Sequence, residues 1–280
     1  MRSRVTESQD TAIGAAWPSW TDALICVEWP SRPAGEGRSG LLKQPSQADT
    51  SLPLVVAIDG PAGAGKSTIA AALAARLGIP YLDTGAMYRA VALLAAREGL
   101  TEPFDDREVA RIVAVMDEHD IEVERGDGGV VVRVDGQDVS SRLRSLDCSM
   151  MASAVSAIPE VRQRLVALQR ELGLRAGGVM EGRDITSVVF PDATLRVFLT
   201  ASPEERARRR LADLQKNAPE TTLDEVRRQQ QQRDRQDTTR SESPLHVAPG
   251  VVVIDTTGST PDEVVDRLVQ ELERTREKRA

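Results

Sequence analysis

The segment Gly60-Pro61-Ala62-Gly63-Ala64-Gly65-Lys66-Ser67-Thr68 carries the spacing G-x-x-x-x-G-K-[ST]. It follows the apolar run Leu54-Val55-Val56-Ala57-Ile58 and leads into Ile69-Ala70-Ala71-Ala72-Leu73-Ala74-Ala75-Arg76, a stretch of mostly good helix formers. No other feature restricts the fold as much, because a strand must here run through a tight glycine turn straight into a helix. Glycines let several backbone N–H groups converge on one anion, and the new helix adds the positive end of its dipole. The sequence therefore predicts a nucleotide phosphate-binding loop over residues 60–68. Lys66 is expected to reach the outer phosphates of ATP, and Ser67 to hold Mg²⁺.

Bulk composition narrows the class. With 280 residues, 40% apolar and 28% charged, the chain has the make-up of a soluble globular protein with a sizeable core. Its formal charge of −7 gives no global basic field of the kind that would recommend a nucleic-acid partner. Two cysteines, Cys26 and Cys148, do not make a disulfide framework and suit a reducing cytoplasm. No stretch approaches the roughly 18 apolar residues of a membrane span. Glu7, Asp10 and Trp17-Pro18-Ser19-Trp20 interrupt any signal-peptide core. A cytoplasmic protein without a membrane partner is expected. Only Lys43, Lys66, Lys216 and Lys278 among the 36 basic residues are lysines, so a lone arginine carries little information and Lys66 carries more.

Residues 1–51 hold Trp17, Trp20 and Trp29 and then a turn-rich run, with no sustained period, and read as a poorly ordered extension before a domain over 52–280. From residue 52 strands and helices alternate, which predicts a parallel sheet covered by helices on both faces. Strands are expected at 54–58, 79–83, 179–181, 195–200 and 251–255. Helices are expected at 66–77, 85–98, 105–118, 145–156, 159–173, 203–215, 223–239 and 261–277. Val109, Ile112, Val113 and Met116 form a helical core stripe. Residues 121–139 instead alternate apolar and polar around Gly126 to Gly129 and Asp135-Gly136, as an antiparallel meander does. This predicts a small substrate-contacting insert over about 119–145. The helix pair around the polar connection 216–222 is a candidate lid over about 206–225.

Two further segments carry chemistry. Asp83-Thr84-Gly85-Ala86-Met87-Tyr88-Arg89 lies where a strand ends and a helix begins, so Thr84, Tyr88 and Arg89 are placed to reach a ligand beside the loop. Glu181-Gly182-Arg183-Asp184 follows a buried strand. Glu181 suits the role of an acid orienting Mg²⁺ through water, Arg183 offers a guanidinium for phosphate, and Asp184 an acceptor for an exocyclic amine. On the arginine-rich helices, Arg206 shares a face with Arg209 or Arg210, and Arg233 with Asp237. A lid of this kind supplies arginines to a migrating phosphoryl group and expels water.

The order of these segments resembles the bacterial cytidylate kinases, nucleoside monophosphate kinases of the phosphate-loop class. The pieces that carry it are Ile58 to Ser67, Leu82 to Arg89, Glu181-Gly182-Arg183-Asp184 with Val188-Val189-Phe190-Pro191-Asp192, and Ala201 to Arg209, within a match from about Leu54 to the C-terminus. The resemblance implies transfer of the terminal phosphoryl group of ATP, with Mg²⁺, to CMP or dCMP by a monomer. It places Ser153, Arg162 and Asp184 on the cytosine, and Thr84, Tyr88, Arg89 and Arg183 around the monophosphate. Arg233, Asp237 and Arg240 match the Arg-x-x-x-Asp-x-x-Arg segment near the sugar and phosphates, with Asp237 on the ribose hydroxyls. Lys66, Arg89, Arg183, Arg206 and Arg233 then form the catalytic set. Ile185-Thr186-Ser187 departs from the family pattern, which usually has a glycine after the first of these residues. Two rivals share the loop: a kinase with another acceptor, and a nucleotide-dependent switch. The switch lacks a guanine-reading Asn/Thr-Lys-x-Asp segment here.

Overall fold

The computed structural model describes residues 53–126, 129–216 and 218–279. The expected extension over 1–51 lies outside the described residues. β1 (Val55–Asp59) is the middle strand of a five-stranded sheet. β6 (Gly178–Gly182) and then β2 (Tyr81–Asp83) lie on one side of it, and β7 (Leu195–Thr200) and then β8 (Val252–Asp255) on the other. Every pairing in this sheet is parallel, as the alternation of strands and helices requires.

All five residues of β1 are buried because helices cover both faces. Val56 and Ile58 pack with Ile69 and Leu73 of α1 (Lys66–Leu77) and with Val264 and Leu268 of α8 (Pro261–Arg279). Val55 and Ala57 point the other way, towards Val166 of α5 (Pro159–Ala176), Met180, Ile185 and Val189. Fully burying one such aliphatic side chain contributes about 2 kcal/mol. The carboxyl ends of the five strands share one edge, where ligands of open α/β sheets gather.

α2 (Thr84–Arg97) is buried along most of its length between α3 (Asp106–Glu118), α4 (Leu146–Val155) and the insert. The α3 stripe sits slightly differently from expectation. Ile112 and Val115 are its buried residues, while Val109, Val113 and Met116 are half-buried, since α3 lies against α2 and α5 together. The insert forms a separate antiparallel sheet of β3 (Ile121–Gly126), β4 (Gly129–Val134) and β5 (Gln137–Asp138). β4 packs on α2 and buries Val132 and Val134.

Residues Ile185–Val189 make a π-helical turn that the hydrophobic pattern did not announce. Val189 N donates to Asp184 O at 3.1 Å and Phe190 N to Ile185 O at 2.8 Å, both across five residues. α6 (Pro203–Leu214) and α7 (Leu223–Thr239) pair through Ala207, Leu214 and Val226, and α7 also packs on α4. Thr222 and Glu225 close a capping box at the start of α7. The expected lid interval thus takes in most of α6, its connection and the first turn of α7. Among the described residues no helix is long and apolar enough to cross a membrane.

Candidate active site

The phosphate loop is held where it is by backbone contacts that only glycine permits. Gly60 has φ +150°, and a Cβ there would lie 2.0 Å from Leu199 O. Gly63 has φ +79°, and a Cβ there would lie 2.8 Å from Arg206 O and 2.9 Å from Gln230 Nε2. The loop is therefore pressed between β7 and the α6–α7 pair. Gly65, also left-handed, starts α1 with no side-chain cap, so the first N–H groups of α1 stay available to an anion. Lys66 curls over the loop and donates from Nζ to Pro61 O at 2.9 Å. Burial, reinforced by the Arg183 charge and opposed by Glu181, pulls its ammonium pKa down to about 7. Ser67 and Thr68 are exposed.

The strand-end acid lies beside Lys66. Glu181 is buried and accepts from Tyr81 Oη at 2.6 Å, while Thr84 Oγ1 donates to its backbone oxygen at 2.7 Å. Burial and then Asp83 raise the Glu181 pKa, against Lys66, Ser67 and Tyr81, which lower it. Burial and the Glu181 charge raise the pKa of Tyr81 as well, so the phenol stays a donor. Next along β2, Asp83 caps α2 by accepting from Ala86 N at 3.1 Å, and it takes Arg89 Nη2 at 2.6 Å. Burial alone would lower the Arg89 pKa, but the Asp83 charge and hydrogen bond outweigh it.

A buried polar cluster stands on α2, α5 and the turn after β6. Arg162 donates from Nη2 to Asp184 Oδ2 and from Nη1 to Ser156 O at 3.2 Å, and its guanidinium lies 5.7 Å from the Tyr88 ring centroid. Both members of the Arg162–Asp184 pair are about nineteen-twentieths buried, at 6% and 5% side-chain exposure. Burial pushes the Tyr88 phenol up to about 12. Arg240 joins from the end of α7, giving Nη1 to Ser156 Oγ at 3.2 Å and Nε to Ser243 O at 2.7 Å.

Asp237 gathers groups from three parts of the chain. Its Oδ1 accepts from Ser153 Oγ at 3.2 Å and its Oδ2 from Arg183 Nε at 2.8 Å, with Arg233 Nε 3.9 Å away. Burial alone would raise its pKa, but Arg183 and Arg233 hold it below the usual carboxylate range. Arg233 itself is lowered to about 10 by burial and by Arg183. From α6, Arg206 reaches Ala62 O of the loop at 3.1 Å and Asp234 Oδ2 at 2.7 Å. Arg209 binds Thr256, whose hydroxyl in turn donates to Ala64 O at 3.2 Å. A cleft lined by Ala62, Ser149, Met150, Arg210, Gln230 and Arg233 opens between the loop, α4, α6 and α7. Arg206 Nε, Arg233 Nε and Arg240 Nη2 are buried with no hydrogen-bond partner. Unmet donors of this kind are costly unless a ligand meets them.

Sequence-predicted residues thus converge on one edge of the sheet. Arg89, placed by the sequence to reach a ligand beside the loop, is paired with Asp83. Sequence reasoning passed over Tyr81, Asp83, Asp234 and Thr256, none of which lies in the glycine motif, and also Asp59. Alternation along β1 does signal that Asp59 faces the same way as Val55 and Ala57.

A parallel sheet with this loop, an acid at the end of the adjacent strand and arginine-bearing helices over the cleft defines a phosphate-loop kinase. The chain belongs to the cytidylate kinase family, whose model matches residues 56–274. It is 45% identical over 228 residues to the cytidylate kinase of Symbiobacterium thermophilum, covering 81% of this chain and 99% of that protein. It is 48% identical over 218 residues to the cytidylate kinase of Desulfitobacterium hafniense, covering 77% and 91%. Against a Synechococcus bifunctional pantoate ligase/cytidylate kinase the identity is 45%, over 80% of this chain and 42% of that longer protein. The resemblance carried by the four sequence segments therefore holds, and the chain is an enzyme.

Proposed function

We infer that this enzyme transfers the terminal phosphoryl group of ATP to CMP or dCMP, giving ADP and CDP or dCDP. The observation that carries the reading is a cluster of cations, the buried Lys66 with the half-buried Arg183 and Arg233. Each is close enough to depress the pKa of a neighbour, and Arg183 directly precedes Asp184, the partner of Arg162. Positive charge gathered this closely around one buried lysine is unfavourable in the free protein and favourable around a migrating phosphoryl group.

The loop N–H groups and Lys66 bind the ATP phosphates, and Arg162, Asp184 and Ser153 read the cytosine ring. Thr84, Tyr88, Arg89 and Arg183 hold the acceptor phosphate, and Asp237 with Arg240 holds the sugar side. An acceptor phosphate oxygen attacks the terminal phosphorus while the bond to the ADP oxygen breaks. The acceptor is already anionic, so no strong general base is needed, and catalysis is positioning with charge neutralisation by Lys66, Arg183, Arg206 and Arg233. Hard oxygen donors at Ser67 and Glu181 suit Mg²⁺, Glu181 through water, and the hydrogen bonds on Glu181 fix its aim. The bound ion supplies charge neutralisation at the outer ATP phosphates. α6 and α7 exclude water from the cleft.

The enzyme works as a cytoplasmic monomer on small nucleotides, with neither nucleic acid nor membrane as partner. A steady-state assay across the nucleoside monophosphates, with ATP and Mg²⁺, tests the reaction. CMP and dCMP should be consumed with ADP release, and failure to form CDP from CMP would refute the assignment.

A further inference from the structure

The end of β1 carries a buried carboxylate that the reaction does not use. Asp59 is 1% exposed, and by strand alternation its side chain leaves β1 on the face of Val55 and Ala57, towards the π-helical turn. Three donors meet its two oxygens. Ile185 N lies at 2.9 Å from Oδ1, and Thr186 N at 2.8 Å and Thr186 Oγ1 at 2.6 Å from Oδ2. Thr186 is itself fully buried, and it occupies one of the positions where the sequence departs from the family pattern. The acceptor and its donors are 126 and 127 residues apart in sequence, so this clasp joins two distant parts of the site. On one side Asp59 is followed directly by Gly60 of the phosphate loop. On the other, Ile185 directly follows Asp184, the partner of Arg162.

We propose that Asp59 and Thr186 are positioning residues for the acceptor nucleotide, holding the segment from Arg183 to Thr186 so that Asp184 and Arg183 meet the incoming nucleotide in a fixed geometry. Asp184 is not held by Arg162 alone. Burial chiefly, and the Asp184 charge after it, oppose the charged form of Asp59, and the donors of Thr186 and Ile185 work against both. Arg162 compensates Asp184, and the two N–H groups and one hydroxyl compensate Asp59. Removing the hydroxyl leaves a buried carboxylate short of a donor, and the turn relaxes to meet it by other means. CMP then binds only the fraction of molecules that keep the original turn, and its apparent Kd rises in inverse proportion to that fraction. The phosphate loop, held by its own backbone contacts to β7 and α6, is not altered.

The inference rests on CMP being the acceptor, so the wild type is assayed first: absence of CMP turnover there defeats the proposed function. With turnover established, Thr186→Val, close in shape but without the hydroxyl, is compared with Thr186→Ser, which keeps it. Calorimetric Kd values for CMP and for ADP, each alone, are measured beside thermal unfolding. Thr186→Val should weaken CMP roughly five- to tenfold with ADP within about twofold, as a reduced competent fraction requires. Thr186→Ser should return CMP affinity to within about twofold of wild type. Thr186→Ala, which removes the hydroxyl and keeps the Cβ, is the second variant and should show the same loss for CMP without loss for ADP. Equal loss of both nucleotides, or a lowered Tm with CMP affinity unchanged, would overturn the proposal and leave the clasp a structural contact only.

Discussion

The two halves of the cleft solve the problem of buried charge in opposite ways. On the acceptor side the charges are matched within the protein: Arg162 with Asp184, Arg183 with Asp237, and Arg89 with Asp83. At the phosphate loop Arg206 is paired with Asp234, but Lys66 has only a backbone carbonyl to bond among the described residues, and its pKa falls to about 7. Arg233 reaches Asp237 only at 3.9 Å and falls to about 10. Paired charges hold a rigid shape that can be read by a base and a sugar. Unmatched ones make a site whose stability waits on an anion, and this suits a polyphosphate that must arrive with its charge and leave with less.

The largest effect should come from the unmatched side. Lys66→Met should lower kcat roughly 10³-fold, the scale of losing a charge aimed at the transition state, while the calorimetric Kd for CMP stays within about twofold. Comparable losses of CMP binding would erase the distinction between the halves. The same lysine predicts a proton balance. Burial holds its pKa well below the usual lysine range in the free enzyme, and a bound polyphosphate favours the charged form, so ADP binding at alkaline pH should take up protons from solution. Titrations in two buffers of different ionisation enthalpy measure this, and Lys66→Met should abolish it. The linkage has a definite sign. The unfolded chain keeps this proton up to about 10.5 and the folded chain releases it near 7, so the contribution of Lys66 to unliganded stability grows as pH rises across that window.

Breaking a matched pair should do something different. Asp184→Ala leaves Arg162 buried without its partner, which costs about 3 to 5 kcal/mol of stability in a denaturant titration. It should also lower kcat/KM for CMP on the order of 10²-fold with little change in KM for ATP, because a buried polar group is left unpaired. The smallest effect is expected at Tyr81, whose phenol aims Glu181. Tyr81→Phe should raise the Mg²⁺ concentration for half-maximal rate only about two- to fivefold, since Glu181 keeps other partners. No shift in that Mg²⁺ dependence would separate Tyr81 from the metal site.

Much of this was legible along the chain because it is local. The loop spacing, the strand before it, the helix after it and the change of period at 121–139 each rest on neighbours a few residues apart, and the sheet and the insert both formed where the pattern placed them. The π-helical turn at Ile185–Val189 was not legible, for its hydrogen bonds answer to Asp59 on another strand. Nor could charge patterning along α7 show that Asp237 gathers Ser153 and Arg183 from two other elements.

The sequence by itself determined the strand, loop and helix proposed to receive a polyphosphate, because a backbone conformation open only to glycine and a lysine at fixed spacing need no distant partner. Only the tertiary structure decided which charges are neutralised and which are left for a ligand. Arg89 finds its carboxylate six residues away, but Arg162 and Arg183 find theirs 22 and 54 residues away, and the cost of not finding one exists only once water has been excluded.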